Sequence, residues 1–423
     1  MLTKKSNLLW VQGKPGSGKS TLAGQIIEDM QSRPDFVVLF VFCKDGEENK
    51  NDLESILRNL VFQLLESSPQ RKSFHQIVQA ARLNAKTPRA QSVSILWTLL
   101  QRMLGNCQIC CVLDGLDECR NPVKERILFL SQLTKTFTLQ GDTTRLMVIS
   151  RLEPSELGED LSQWECMQIR SSDVQDDIEK FASIEIEKSL VLRIHRDKEH
   201  ILRVLIDCSD GMILWTALMI KELERGRWDV QSVLERPPRG LSNIYTSILC
   251  RIEKMTESVD KIHHALQLVL AAARSLRLEE LALGLAIMEG LRSHEDYNLV
   301  GDPTAEGRAI VLSSQPLLTI MPDETVEMAH SSLRDYFFDS STQLDMPEFH
   351  FQDSGVQCTM AKVVLSYLSF EYFIDELSNE EQCKYHFLEY VSHWLVYYSS
   401  KLGASKDIAE NLIIFFNTRQ GWR

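Results

Sequence analysis

From Gly13 to Thr21 the chain reads Gly13, Lys14, Pro15, Gly16, Ser17, Gly18, Lys19, Ser20 and Thr21. This satisfies the pattern G-x-x-x-x-G-K-[ST], and the chemistry explains the spacing. Glycines let successive backbone N–H groups turn inward around an anion without Cβ clashes. A helix beginning at the end of the loop adds its unpaired amides and the positive end of its dipole. The Lys19 ammonium reaches the β- and γ-phosphates of a nucleoside triphosphate, and the Ser20 hydroxyl ligates Mg²⁺. A plain glycine-rich turn would not require Lys19 and Ser20 in those places.

Two further segments carry charge to the same chemistry. Ile109–Asp114 is an apolar run ending in a carboxylate, the form of a Walker B strand, whose Asp114 holds Mg²⁺ through water or Ser20. Asp117 and Glu118 follow at once. They are candidates for orienting or deprotonating a water, against the plainer reading of a solvated loop. Arg151 comes directly after the apolar run Leu146–Ser150. There a guanidinium can sense the γ-phosphate, or serve only as a surface ion pair.

The elements that must position these groups are visible in the hydrophobic pattern. Leu8–Gln12 precedes the loop as a short strand, and a helix with Leu22, Ile26, Ile27 and Met30 on one face follows. Phe36–Cys43 is continuously apolar, as in a strand buried on both faces of a parallel sheet. Asp52–Ser67 and Val93–Leu104 have helical periodicity, while Gln108–Asp114, Arg145–Ser150 and Met167–Arg170 are predicted strands. Alternating strands and helices imply right-handed crossovers and a parallel sheet flanked by helices, an α/β P-loop NTPase domain over residues 1–170. Residues 171–235 are predicted all-helical, ending at the break Arg236-Pro237-Pro238-Arg239-Gly240. Residues 236–345 contain helices near 241–255, 258–273 and 277–289. A hairpin follows, from Leu317–Ile320 to Thr325–Ala329. Helices followed by a small hairpin suggest a winged helix. Residues 346–423 form a second helical segment rich in aromatics, including Phe370, Tyr372, Phe373, Trp394, Tyr397 and Tyr398.

With Cys110–Cys119 (CCVLDGLDEC) and Val148–Arg151 (VISR) added to the loop, the sequence resembles the NACHT domain of STAND-class signalling NTPases. The similarity is to fungal heterokaryon-incompatibility proteins and NOD-like receptors in particular. It continues through Asp210–Trp215, Arg239–Tyr245, Arg274–Leu281 and Val326–Phe337. The resemblance implies a switch in which ADP holds a closed monomer and exchange for ATP permits opening and self-association through the nucleotide-binding domain. It also implies that His330 matches a winged-helix histidine touching the bound diphosphate; the alternative is a structural histidine at a strand–helix junction. The N-terminal effector domain and C-terminal repeats usual in the family are expected to be absent, and the segment before Gly13 that lines the base pocket to be very short.

Bulk properties limit the other possibilities. The 423 residues carry a formal net charge of −13, which argues against a general nucleic-acid grip even with a winged helix. No apolar run approaches the roughly 20 residues needed to span a bilayer, and no signal peptide is expected, so the location is predicted to be cytoplasmic. Ten cysteines lack framework spacing and are expected to be free thiols. Cys107, Cys110, Cys111 and Cys119 superficially resemble metal ligands, but a strand sends alternate side chains to opposite faces, which argues against zinc. A small-molecule kinase shares the loop, yet no arginine-rich lid segment is found. A scaffold with purely structural nucleotide is a third reading. ATP and ADP, the nucleotides that the resemblance implies, are favoured, with GTP the alternative.

Overall fold

Parallel pairing organises the N-terminal part of the chain. In the computed structural model, residues 7–43, 52–67, 90–104, 108–119, 121–151, 164–225, 230–256, 258–293, 302–369 and 386–401 are described. They fall into two units, Met1–Pro237 and Pro238–Arg423. The first opens with β1 (Leu8–Gly13), α1 (Lys19–Gln31), β2 (Phe36–Phe42), α2 (Leu53–Ser67) and α3 (Ala90–Leu104). It continues with β3 (Gln108–Asp114), α4 (Val123–Leu139), β4 (Thr144–Arg151) and β5 (Glu165–Gln168). The strands lie in the order β2-β3-β4-β1-β5, all parallel.

Both faces of this sheet are covered, which is why β2 and β3 read as unbroken apolar runs. On one face Leu39, Val41, Ile109, Cys111, Leu113 and Leu146 pack beneath α2, α3 and α4. On the other, Val11, Val38, Cys110, Val112, Met147 and Ile149 pack beneath α1. Adjacent Cys110 and Cys111 thus enter different cores, and Cys119 joins that of Cys111. Among the described residues no group of three His, Cys, Asp or Glu gathers to hold a metal ion; Cys107 lies outside the described residues.

Two sequence expectations shift. The buried face of α1 is Ala23, Ile27 and Met30, while Leu22 is 37% exposed. The small alanine lets the helix sit close to the sheet and rotates Leu22 outward. The last strand is Glu165–Gln168 rather than Met167–Arg170. It is an edge strand bound to β1 on one side only, so its pattern is mostly exposed, and apolar content was a poor guide to it.

The rest of this unit is helical: α5 (Gln175–Lys188), α6 (Lys198–Cys208), α7 (Ile213–Glu224) and α8 (Val230–Glu235). The second unit begins with α9 (Gly240–Met255), α10 (Val259–Ala271), β6 (Leu276–Arg277), α11 (Leu278–Met288) and α12 (Pro303–Ser314). Asp302 caps α12 by accepting from Ala305 N at 3.0 Å, with Pro303 in the first turn. Then come β7 (Leu318–Ile320), β8 (Thr325–Met328), α13 (Ser332–Phe338), α14 (Thr342–Asp345), α15 (Asp353–Leu368) and α16 (His386–Lys401). The hairpin β7–β8 gains a third, antiparallel strand, β6, giving the order β6-β8-β7. Glu280 ties the start of α11 in place, accepting from Arg277 N and from both Arg274 amino groups, all at 2.8 Å. The hydroxyls of Tyr390 and Tyr398 both accept from Ala273 N, at 3.1 and 3.0 Å, fastening α16 beside them. Phe370, Tyr372 and Phe373 lie outside the described residues.

Candidate nucleotide-binding site

The sheet brings the ends of β1, β3 and β4 to one edge. Gly13 pairs with Arg151, and Asp114 with Ile149. This is the edge where open parallel sheets bind ligands, beyond the carboxyl ends of their strands.

The loop after β1 has the backbone the chemistry needs. Gly16 (φ 72) and Gly18 (φ 84) are left-handed, which any Cβ would oppose. Gly18 precedes α1, and among the described residues no side chain caps that helix, which leaves its first amides to an anion. Ser17 is 5% exposed, and its hydroxyl oxygen has no hydrogen-bond partner among the described residues. The Lys19 ammonium donates back to the carbonyls of Gly13 and Lys14 at 2.9 and 2.8 Å, closing over its own loop. Burial pushes the Lys19 pKa down, opposed first by Asp117, with Asp114 and Glu118 acting the same way and Arg151 adding to the depression. One ammonium therefore faces three carboxylates and a guanidinium.

Asp114 is 5% exposed at the end of β3. Burial raises its pKa, while a hydrogen bond from the Ser20 hydroxyl and the charge of Lys19 pull it down. Ser20 and Asp114 are thus already in contact, as a shared Mg²⁺ site needs. Thr21 is exposed on α1, and Pro15 and Lys14 are partly exposed in the loop.

Asp117 and Glu118 lie on a short 3-10 turn, Leu116–Glu118. Arg151 reaches both: Nε lies 3.2 Å from Asp117 Oδ2, and a terminal nitrogen 3.0 Å from Glu118 Oε1. All three side chains are largely covered, with 21%, 7% and 17% exposed for Arg151, Asp117 and Glu118. The turn is fixed from behind. Gly115 (φ 76) donates to Ile149 O at 3.0 Å, and Arg126 donates to Asp117 O at 2.9 Å. A Cβ on Gly115 would stand 2.8 Å from the Cys43 carbonyl oxygen.

A contact not foreseen joins the loop to α7. Leu214 N donates to Gly16 O at 3.2 Å, and a Cβ on Gly16 would meet Leu214 Cβ at 2.6 Å. The Lys14 ammonium pairs with Asp210 at 2.6 Å. Asp210 (φ 48) and Gly211 (φ 77) form a left-handed pair, and Ser171 donates to the Asp210 carbonyl at 3.0 Å. The Asp-Gly dipeptide was a sequence signal for this turn; nothing in the sequence pointed to Arg126.

His330 lies in the other unit, between β8 and α13. Its Nδ1 accepts from Ser332 N at 3.1 Å and contacts the Ser332 hydroxyl at 2.8 Å. The Tyr245 hydroxyl meets that same oxygen at 2.8 Å.

Residues 1–151 match the family described as nephrocystin 3, N-terminal. Over 349 residues the chain is 23% identical to the vegetative incompatibility protein HET-E-1 of Podospora anserina, covering 79% of this chain and 25% of that protein. The chain therefore spans about a quarter of the length of that relative. Among solved structures, the Walker-type ATPase PABY2304 of Pyrococcus abyssi aligns over 79% of this chain and 91% of its own, with 11% identity and a TM-score of 0.33. Drosophila ORC bound to DNA aligns over 76% and 86% at 12% identity and a TM-score of 0.35. Cdc6p from Pyrobaculum aerophilum aligns over 81% and 88% at 14% identity and a TM-score of 0.32. These three likenesses are distant.

Proposed function

We propose that this chain, which those matches support as a NACHT-type NTPase, is a nucleotide-dependent signalling switch that binds ATP and ADP at the Gly13–Thr21 loop. The observation that carries this is the convergence at one sheet edge of left-handed Gly16 and Gly18, the uncapped α1, the Lys19 ammonium and the Ser20–Asp114 pair. The main-chain amides hold the phosphates. Lys19 exchanges its two carbonyl partners for phosphate oxygens, a trade of neutral acceptors for charged ones that favours binding. Mg²⁺, when bound with the nucleotide, neutralises developing phosphate charge. Ser20 and Asp114 would hold it beside the phosphates. Glu118, with Asp117 beside it, orients or deprotonates the attacking water. Hydrolysis is slow, because Arg151 engages both carboxylates and must release Glu118 before it can act on a water. The small-molecule kinase and the purely structural nucleotide gain no specific support.

The domain limits we assign are nucleotide-binding 1–170, helical 171–235, winged-helix 236–345 and second helical 346–423. The order α10, β6, α11, α12, β7, β8 supports the winged helix, being helix–strand–helix–helix–strand–strand. Activation proceeds by opening and self-association of the nucleotide-binding domain, in a pathway of the incompatibility or innate-immunity type. A cytoplasmic location fits this role, and among the described residues no helix is long and apolar enough to cross a membrane.

The test is Lys19→Ala. Triphosphate affinity should fall by at least about a hundredfold, as expected for losing two charge-assisted bonds. The melting temperature should hold or rise, since a desolvated ammonium is removed. Unchanged affinity in a fluorescent-nucleotide titration would end the proposal.

A further inference from the structure

Arg151 closes β4, in register with Gly13 at the root of the loop. Its guanidinium bridges Asp117 and Glu118, and all three side chains are mostly shielded from water. The carboxylate turn has little freedom to move, because Gly115 N is bonded to Ile149 O, Glu118 N to Gly115 O at 2.8 Å, and the Asp117 carbonyl to Arg126. The guanidinium, 21% exposed, is the partner that an incoming oxyanion attracts. The Lys19 ammonium is under the influence of Asp117, Arg151, Asp114 and Glu118 together. A terminal phosphate gripped by Lys19 would therefore enter the field of the same guanidinium. Arg151 has two claimants, a fixed pair of carboxylates and an incoming oxyanion.

Resting on the nucleotide reading above, we propose that Asp117 and Glu118 set the threshold of the switch by competing with the terminal phosphate of a triphosphate for Arg151. A diphosphate leaves the Arg151 bridge intact. A triphosphate draws the guanidinium away, and breaking the bridge subtracts from triphosphate affinity. The same movement frees the Glu118 carboxylate towards water, so recognition of the third phosphate and release of the base are one event. Asp117 in this scheme is a positioning residue, acting through Arg151. Pairing a phosphate-sensing arginine with two acids lowers its sensitivity to the third phosphate.

The test is a double-mutant cycle on the full chain, using wild type, Asp117→Asn, Arg151→Gln and the double variant. Affinities for ADP and for a non-hydrolysable ATP analogue are measured with Mg²⁺ and again with EDTA. Asp117→Asn should raise the preference for triphosphate over diphosphate by roughly tenfold, the size of one charge-assisted hydrogen bond. Arg151→Gln should lower that preference, and Asp117→Asn should add nothing in the Arg151→Gln background. Glu118→Gln in the same cycle gives the second limb of the bridge and stands in should Asp117→Asn fail to fold. ADP affinity near the wild-type value reports an intact loop in each variant. An equal gain with and without Arg151 would mean that removing any negative charge suffices, and would overturn the proposal, as would a fall in preference on Asp117→Asn. Failure of wild type to bind either nucleotide would instead sink the underlying nucleotide reading.

Discussion

Asp114 shows how burial and function pull one side chain in opposite directions. Its carboxyl is pushed above the ordinary range chiefly by burial, and the Ser20 hydroxyl and Lys19 only partly offset this. Because its folded pKa lies above its unfolded one, ionised Asp114 costs stability at neutral pH, and that cost is relieved as pH falls through the raised value. Metal binding has the opposite requirement, since a proton on Asp114 displaces the cation. The Mg²⁺-dependent part of nucleotide affinity should therefore fade on acidification at a pH above that of an exposed aspartate. Asp114→Asn should abolish that part while melting no lower than wild type. Titrations at several pH values with and without EDTA check this, and a Mg²⁺ effect that survives in Asp114→Asn would refute the assignment. The loop, Asp114, the two acids and Arg151 were legible because each sits at a fixed offset from a strand end. What stayed hidden was their pairing. Sequence spacing does not say that a guanidinium will face carboxylates across a turn instead of open solvent.

At the scale of elements, the contact of α7 with the loop is set by one backbone turn. Gly211 is left-handed, and a Cβ there would stand 2.7 Å from the Ser171 Cα. Gly211→Ala should cost roughly 2 kcal/mol or more, combining left-handed strain with the backbone clash. It should also weaken nucleotide binding without touching the ligand, by shifting Leu214 off Gly16. Gly141→Ala is the control: it is also left-handed (φ 64), but no atom lies within 4 Å of its would-be Cβ. Chemical denaturation of both variants compares the two costs, and equal losses would show that the clash with Ser171 is relieved cheaply. Most helices and strands of the first sheet were legible because they are buried and strongly periodic. The bounds of the edge strand β5 and the existence of the two-residue strand β6 were not, since pairing rather than hydrophobicity defines them. The helix Pro303–Ser314 escaped notice although Asp302 and Pro303 mark its start plainly.

For the whole molecule, the sharpest question is what His330 does. Within its own unit it belongs to a hydrogen-bonded group with Ser332 and Tyr245. If the switch closes as proposed, His330→Ala should weaken ADP affinity about tenfold, with little change for a triphosphate analogue. The conservative His330→Asn keeps a local acceptor and separates the two roles. Equal ADP affinity in both variants and wild type would leave the histidine a junction residue only. Order within the first sheet has a further consequence for how the chain comes off the ribosome. The strand made first, β1, is inserted between β4 and β5, bonding to Leu146 on one side and Glu165 on the other. Nascent Leu8–Gly13 thus waits unpaired while β2 and β3, both strongly apolar, can already zip together beside it. Such long-range closure is slow and exposes sticky edges meanwhile. The strand that leads into the phosphate loop is held on both sides only once translation has passed the fifth strand, so a chain stalled before that point leaves one edge of β1 open.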